Sequence, residues 1–369
     1  MSKNLENCYQ MFMLCFTIVF VLIKFIIGRD MCVFLFNKVL LFCLLLNARP
    51  TMNSNSESIL VIDDFHPCFV QNLLDQGLSV NYKPDFNISA DFKHLQSAEI
   101  VAVRSKINFT SALLADLPNL KCIARGGAGM DNIDEVFAAA QHITLLNAPE
   151  GNRDAVAEHA IGLLLNLNHK ISQSFDEVKN GHWNREANRG SEIGSKTIGI
   201  IGFGNAGSAF AKKLSGFDAN VVAYDKYKVV ESPNAKAIAL DQLLQTADII
   251  SFHVPLTQET KAMVNKDLIA KMKTGVCILN TARGGICSLE DVHLGIISGK
   301  IKSFGTDVLE NENLASWTDN ERVLFANLTA SNQVVITPHV AGWTTESYKK
   351  IADVLAHKII EYTTKAKII

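Results

Sequence analysis

The sequence predicts an α/β fold of two domains, each built on a parallel sheet. Three observations carry that reading. From Ser58 onward, apolar runs of strand length alternate with stretches of helical period, the pattern of parallel strands covered on both faces by helices. The 369 residues are enough for two domains with full cores. A glycine-rich loop stands between an apolar strand and a helix in the second half of the chain.

The elements follow in order. ILVID (59–63) reads as a strand and HPCFVQNLLDQG (66–77) as an amphipathic helix closed by glycine. EIVAVRS (99–105), LKCIARGG (120–127) and ITLLN (143–147) are further strands. NRDAVAEHAIGLLLNLNHKISQ (152–173) has the pattern of a long helix, with Asn152 or Asp154 as its cap. The polar stretch GHWNREANRGSEIGSK (181–196) reads as a hinge. Alternation then resumes through TIGIIGFGNAG (197–207), ANVVAYD (219–225), ADIISFHVP (247–255), GVCILN (275–280), IKSFGTDV (301–308) and VVITPHV (334–340). The last helix, TTESYKKIADVLAHKIIEYTTK (344–365), leaves the second sheet behind and is expected to return to the first domain. That return would split the N-terminal domain and insert the second one into it.

Residues 1–51 differ in character. MFMLCFTIVFVLIKFII (11–27) is almost wholly apolar, and MCVFLFNKVLLFCLLL (31–46) nearly repeats it. The first is long enough to cross a bilayer, which takes roughly 17–25 residues, and Lys24 lies where it could snorkel. The second carries Lys38 near its middle, and no clear small-x-small cleavage site marks a signal peptide. A plainer reading is favoured. The stretch is rich in Phe, Leu, Ile, Met, Asn and Lys and nearly lacks Ala and Gly, as an AT-rich upstream region read in frame would. Met52 then begins a short polar lead into a strand. The expectation is a start-site artefact, with a membrane anchor as the alternative, and a cytoplasmic protein.

Charged residues make up 20% of the chain and the net charge is −2. No basic excess is available to neutralise a phosphate backbone, so no nucleic-acid partner is expected. The eight cysteines form no CxxC pair and no Cys/His cluster at metal spacing, so no metal site is expected. Cys68, Cys122, Cys277 and Cys287 lie far apart in sequence and read as reduced core residues.

Gly202, Gly204 and Gly207 form G-x-G-x-x-G after the apolar strand 197–201, and the helical stretch SAFAKKLSGF follows. A second strand ends in Asp225, 18 residues after Gly207. Strand, glycines, helix, second strand and acid in this register form the dinucleotide fingerprint of a Rossmann-like domain. The first glycine permits the tight turn, the second lets backbone approach a pyrophosphate, and the third allows close packing of helix on strand. Asp225 would accept hydrogen bonds from the adenine ribose and repel a 2′-phosphate, so NAD is the expected cofactor.

Three polar residues follow strand ends downstream: Arg283, Glu312 and His339. Ligands of open α/β sheets bind beyond the carboxyl ends of the strands, so all three can face one crevice. Oxidising a hydroxy acid needs a base for the hydroxyl proton, which suits histidine. A carboxylate beside it fixes the tautomer and stabilises the imidazolium, and an arginine can hold a substrate carboxylate through two parallel hydrogen bonds. Alone, a histidine after proline at a strand end is more often structural, and a glutamate in ENEN is usually just solvated. Their common placement behind a dinucleotide loop favours a site.

From about Ser58 to its end the chain resembles the D-isomer-specific 2-hydroxyacid dehydrogenase family, most of all its phosphoglycerate dehydrogenases. Five motifs carry the resemblance, in family order: RGGAGMDNID (125–134), AVAEHAIGLLL (155–165), GIIGFGNAG (199–207), NTARGG (280–285) and TPHVAGWT (337–344). It implies NAD-dependent oxidation of a D-2-hydroxy acid, 3-phosphoglycerate first and glycerate/hydroxypyruvate or glyoxylate as alternatives, with Arg283, Glu312 and His339 catalytic. It implies cofactor contacts at Gly202, Gly204, Asn205, Ala206, Gly207, Asp225, His253, Pro255, Thr281, Ala282, Arg283, Asp307, His339 and Gly342, with Asp307 near the nicotinamide amide. Substrate contacts fall on Arg104, Ser105, Gly127, Ala128, Gly129 and Arg283. The implied organisation is an N-terminal extension (1–57), a split, flavodoxin-like substrate-binding domain (58–152 and 341–369) and an inserted NAD-binding domain (153–340). A homodimer supported by the long helix at 153–168 is also implied, as is a role in serine biosynthesis.

The chain departs from the family pattern at three places. Asn313 replaces the proline that usually follows the glutamate, Glu310 lies two residues from Glu312, and Asn205 replaces a common arginine in the glycine loop. The chain stops at Ile369, so feedback by serine through an appended regulatory domain is not expected. A rival reading is an NAD-sensing binding protein like the C-terminal-binding corepressors, which keep this fold and act through protein partners.

Overall fold

The computed structural model describes residues 58–366; the apolar runs at 11–27 and 31–46, and the anchor question with them, lie outside the described residues. The first sheet holds β1 (Ser58–Val61), β2 (Ser79–Tyr82), β3 (Ile100–Val103), β4 (Cys122–Arg125) and β5 (Thr144–Asn147), all parallel, in the order β2-β1-β3-β4-β5. The second holds β6 (Thr197–Ile201), β7 (Asn220–Tyr224), β8 (Lys236–Ala237), β9 (Ile249–Phe252), β10 (Val276–Asn280), β11 (Ile301–Thr306) and β12 (Val334–Ile336). It too is parallel, in the order β12-β11-β10-β9-β6-β7-β8.

Strand periodicity sorts the side chains of the first sheet onto two faces. Ile59, Val61, Ile100 and Ala102 meet Phe69 and Leu73 of helix Cys68–Asp75, together with Ala352, Leu355, Ala356 and Ile359 of helix Thr345–Ala366. Leu60, Val101, Val103 and Ile123 face Leu95, Leu114 and Ala138 from three other helices. The last helix therefore shares a core with the first sheet, and the second sheet is inserted between them in sequence.

Helix Pro149–His169 joins the two halves. Its Ala157, Ala160, Leu163 and Leu164 pack with Ile198, Ile200 and Leu279 of the second sheet and Phe210 of helix Asn205–Leu214. At its other end it approaches the last helix so closely that a Cβ on Gly151 would lie 2.6 Å from the Ile351 backbone. Asn152 and Asp154 do not cap this helix. It starts at Pro149, whose fixed φ suits the first turn, with Ala148 at the cap and no capping side chain. It also ends earlier than the sequence pattern, because Lys170 turns left-handed (φ 53°) and a separate helix, Ile171–Lys179, follows.

Cys122, Cys277 and Cys287 are buried and, like Cys68, carry reduced thiols. Burial pushes the Cys277 thiol up to about 11 and that of Cys287 up to about 12, so both stay protonated and unreactive at neutral pH. No described helix is long and apolar enough to cross a membrane.

Candidate active site

A cleft of about 1340 Å³ lies between the two sheets, lined by residues that follow the carboxyl ends of β3, β4, β9 and β10. In the second sheet the strand order reverses between β6 and β9, the switch point at which α/β sheets bind ligands.

The glycine loop leaves β6 there. Gly202 has φ +91°, and a Cβ on it would lie 2.7 Å from the His253 carbonyl oxygen, so two crossovers meet at backbone distance. Gly204 caps helix Asn205–Leu214 with no side chain bonded to the first-turn N–H groups, and the space beside it is open. Asn205 and Ala206, in that first turn, line the cleft. Such a helix start favours an anion. Asp225, at the end of β7, ties this loop down: its Oδ2 accepts from Phe203 N at 2.7 Å and its Oδ1 from Tyr227 N and Lys228 N. Gly202, Gly204, Gly207 and Asp225 stand behind the cleft rather than in its lining.

Beside the glycine loop and the end of β10, two buried polar atoms of cleft residues are without a protein partner: His253 Nδ1 and Thr281 Oγ1. Histidine 253 spends its other nitrogen on Ser251 Oγ at 2.8 Å, and burial pushes its pKa down to about 4. It is therefore a neutral imidazole at physiological pH. Unsatisfied buried polar atoms are uncommon and call for a ligand or water. With the open helix start, they fit a dinucleotide. Pro255, Thr281, Ala282 and Gly342 share the same lining.

Arg283 leaves β10 in extended conformation (φ −143°, ψ 140°) and stands among cleft residues. Its Nε donates to Asp131 Oδ2 at 2.9 Å and its Nη1 to the Ala282 carbonyl at 2.6 Å. Gly129 lies directly beneath Nη2, where a Cβ would collide with the guanidinium. The Gly127–Gly129 backbone and Arg283 are thus brought together, with Ala128 between.

His339 follows β12 in a left-handed conformation, φ +56°. Its Nδ1 is 2.9 Å from Glu312 Oε2. The two candidate glutamates separate clearly. Glu310 turns the other way, where its Oε2 accepts from Leu289 N, and burial raises its pKa. Asp307 is 1% exposed and anchors the histidine loop. Its carboxylate accepts from Val340 N at 3.0 Å, Ala341 N at 2.7 Å and Thr337 Oγ1 at 2.5 Å, while its carbonyl accepts from His339 N. His159 on the long helix reaches the same Thr337 hydroxyl at 2.8 Å.

Arg104 and Ser105 close the other side of the cleft. Their backbone N–H groups, with that of Lys106, donate to Asp63 Oδ2 at the end of β1. The Arg104 guanidinium stacks 4.4 Å above the Trp343 ring. Arg125, Asp131 and Trp343 are among the cleft residues that the sequence reading does not single out as site residues. Arg125 and Asp131 stood within RGGAGMDNID and Trp343 within TPHVAGWT; charge and aromaticity inside a motif were the available signals. Burial and the neighbouring Arg283 lower the Arg125 pKa, while Asp131 opposes them. Its Nε is buried without a partner.

Comparison with known proteins gives a consistent picture. The family described as D-isomer specific 2-hydroxyacid dehydrogenase, NAD binding domain, matches residues 161–341. The chain is 38% identical to the hydroxypyruvate reductase of Thermotoga maritima over 269 residues, 73% of this chain and 86% of that protein. It is 34% identical to the D-3-phosphoglycerate dehydrogenase of Archaeoglobus fulgidus over 305 residues, 82% of this chain but only 56% of that protein. The chain thus spans little more than half the length of that relative. Among solved structures, D-lactate dehydrogenase from Aquifex aeolicus, complexed with NAD and lactic acid, matches with a TM-score of 0.73 at 27% identity. That match covers 85% of this chain and 96% of the other.

Proposed function

The chain belongs to the D-isomer-specific 2-hydroxyacid dehydrogenases, and on that premise we propose that it interconverts a D-2-hydroxy acid and its 2-keto acid, 3-phosphoglycerate being the favoured substrate. The observation that carries this reading is the convergence of Arg283, His339 and Glu312 on one cleft behind the glycine loop. In the oxidative direction His339 takes the hydroxyl proton through Nε2, since Nδ1 is engaged by Glu312. The carboxylate of Glu312 then stabilises the imidazolium. Arg283 and the Gly127–Gly129 backbone hold the substrate carboxylate, and Asp307 sets the loop that presents His339. NAD, when bound, accepts the hydride. The open helix start would take its diphosphate, Asp225 would face its adenine ribose, and His253 and Thr281 would offer it their unpartnered polar atoms.

Two features support a phosphorylated substrate: Arg104 and Arg125 add two guanidinium groups to the cleft beyond Arg283, and several relatives at 32–35% identity are named D-3-phosphoglycerate dehydrogenase. The specific alternative is hydroxypyruvate, because the relative of that name is matched at higher identity and over most of its length. We place the substrate-binding domain at 58–152 and 341–369 and the NAD-binding domain at 153–340, in a cytoplasmic homodimer serving serine biosynthesis. The test is NADH oxidation with 3-phosphohydroxypyruvate, hydroxypyruvate, glyoxylate and pyruvate compared by kcat/KM. The first should lead. Tight NADH binding without turnover on any of them would overturn the enzymatic reading.

A further inference from the structure

Arg283 does not stand alone in the cleft. Its Nε is paired with Asp131 Oδ2 at 2.9 Å, and the two residues come from different sheets: Asp131 from the loop after β4, Arg283 from the end of β10. The remaining geometry of the guanidinium is equally constrained. Nη1 donates to the Ala282 carbonyl, and Nη2 rests over Gly129, two residues before Asp131. One short loop therefore supplies both the clearance for this arginine and its anchor.

Charge gives Asp131 a second task. The Arg125 guanidinium packs over Gly127 in the same loop and lies close enough to Arg283 for the Arg283 charge to disfavour its own. Like charges this near need a counter-charge; Asp131 is hydrogen-bonded to Arg283, and its charge also favours the Arg125 cation. The Asp131 side chain is 48% exposed and that of Arg283 26%. A pair so exposed adds little to folding stability, so its consequence belongs to orientation instead.

We propose that Asp131 is a positioning residue: its carboxylate holds the Nε edge of Arg283 across the cleft, so that the guanidinium meets the carboxylate of the keto acid already oriented. This rests on the reading that Arg283 binds that carboxylate. A carboxylate is recognised through two parallel N–H groups in a fixed plane, and a guanidinium free to rotate loses that match. The nearly isosteric Asp131→Asn removes the charge and lets the arginine turn.

The test compares Asp131→Asn, Asp131→Glu, Arg283→Ala and the Asp131→Asn/Arg283→Ala double variant. For each, KM and kcat with the best keto acid, the NADH dissociation constant and the melting temperature are measured. Asp131→Asn should raise KM about tenfold or more, the scale on which a small misplacement acts. Its kcat, NADH affinity and melting temperature should stay close to wild type, and Asp131→Glu should recover part of the KM. In the Arg283→Ala background the asparagine should add almost nothing, because two residues acting through one contact are not additive. An unchanged KM in Asp131→Asn, or effects that multiply in the double variant, overturns the inference. If Asp131→Asn fails to fold, Asp131→Glu decides: a raised KM with kcat and NADH affinity near wild type supports the inference, and an unchanged KM overturns it. An Arg283→Ala enzyme with unchanged KM would sink the reading of Arg283 itself, which is a different result.

Discussion

Glu312 Oε2 stands 2.9 Å from His339 Nδ1, and each side chain is about half exposed, 45% and 49%. The pairing fixes which imidazole nitrogen is free. With Nδ1 facing a carboxylate, the neutral ring carries its proton there and leaves the Nε2 lone pair to act as base.

From that pairing, His339→Asn should lower kcat by about 10²–10⁴, with NADH binding near wild type. Glu312→Gln keeps a hydrogen-bonding group but removes the charge that steadies the imidazolium. Its loss should be smaller, on the order of 10–10² within the range ascribed to general acid–base groups. Steady-state rates and NADH titration check both. A change below tenfold in His339→Asn would remove it from the proton transfer.

Asp307→Asn tests the anchor beneath this pair. The carboxylate accepts three hydrogen bonds while 1% exposed. An amide presents one oxygen and one nitrogen, so at least one donor in the 337–341 loop is left facing an N–H. A buried group left unsatisfied costs roughly 1–3 kcal/mol. Urea denaturation should show that loss, and kcat should fall with it because the left-handed backbone of His339 rests on this loop. Stability and rate both at wild-type levels would show that the loop holds itself.

Much of this was legible because it is local. β10 is buried at every position, and the uninterrupted apolar run Val276 to Leu279 says so for its first four residues. The glycine loop declares itself through spacing. What was not legible is either weakly patterned or nonlocal. SVNY of β2 is half polar at a sheet edge, and β8 is two exposed residues, so neither shows a strand period. Asp131 and Arg283 meet across 152 positions. Glu310 and Glu312 differ by two places, and only the turn after β11 sends one toward Leu289 and the other toward His339.

His253 makes acid sensitivity predictable. Burial depresses its folded pKa to about 4 from an ordinary 6.5. Below the unfolded value the unfolded chain gains a proton that the folded chain refuses. Stability is then fully present above about pH 6.5 and falls as pH drops towards 4, by roughly 3 kcal/mol at most. The His253 side chain is only partly buried, so the effect is smaller than that bound. His253→Gln, measured by urea denaturation at pH 7 and pH 4.5, should flatten the acid decline relative to wild type. Identical declines would place the loss at other groups.

Two glycines of one loop should fail in different ways. A Cβ on Gly207 would collide with the Gly202 carbonyl and come within 3.3 Å of Ile200 Cγ2. Because the first of these is backbone, helix Asn205–Leu214 must shift away from β6 to admit it. Gly207→Ala should therefore cost about 1–3 kcal/mol, the usual scale of overpacking, and weaken NADH binding as the helix start moves. Gly204 has no atom near its missing Cβ and an ordinary φ of −82°. Gly204→Ala should fold with wild-type stability. Its methyl group would nonetheless occupy the space through which backbone approaches a pyrophosphate, so NADH affinity should drop there as well. Urea denaturation beside NADH titration separates the two cases. A Gly207→Ala protein as stable as wild type would show that the helix and strand are not held at contact distance, and a Gly204→Ala protein with unchanged NADH affinity would move the diphosphate away from this turn.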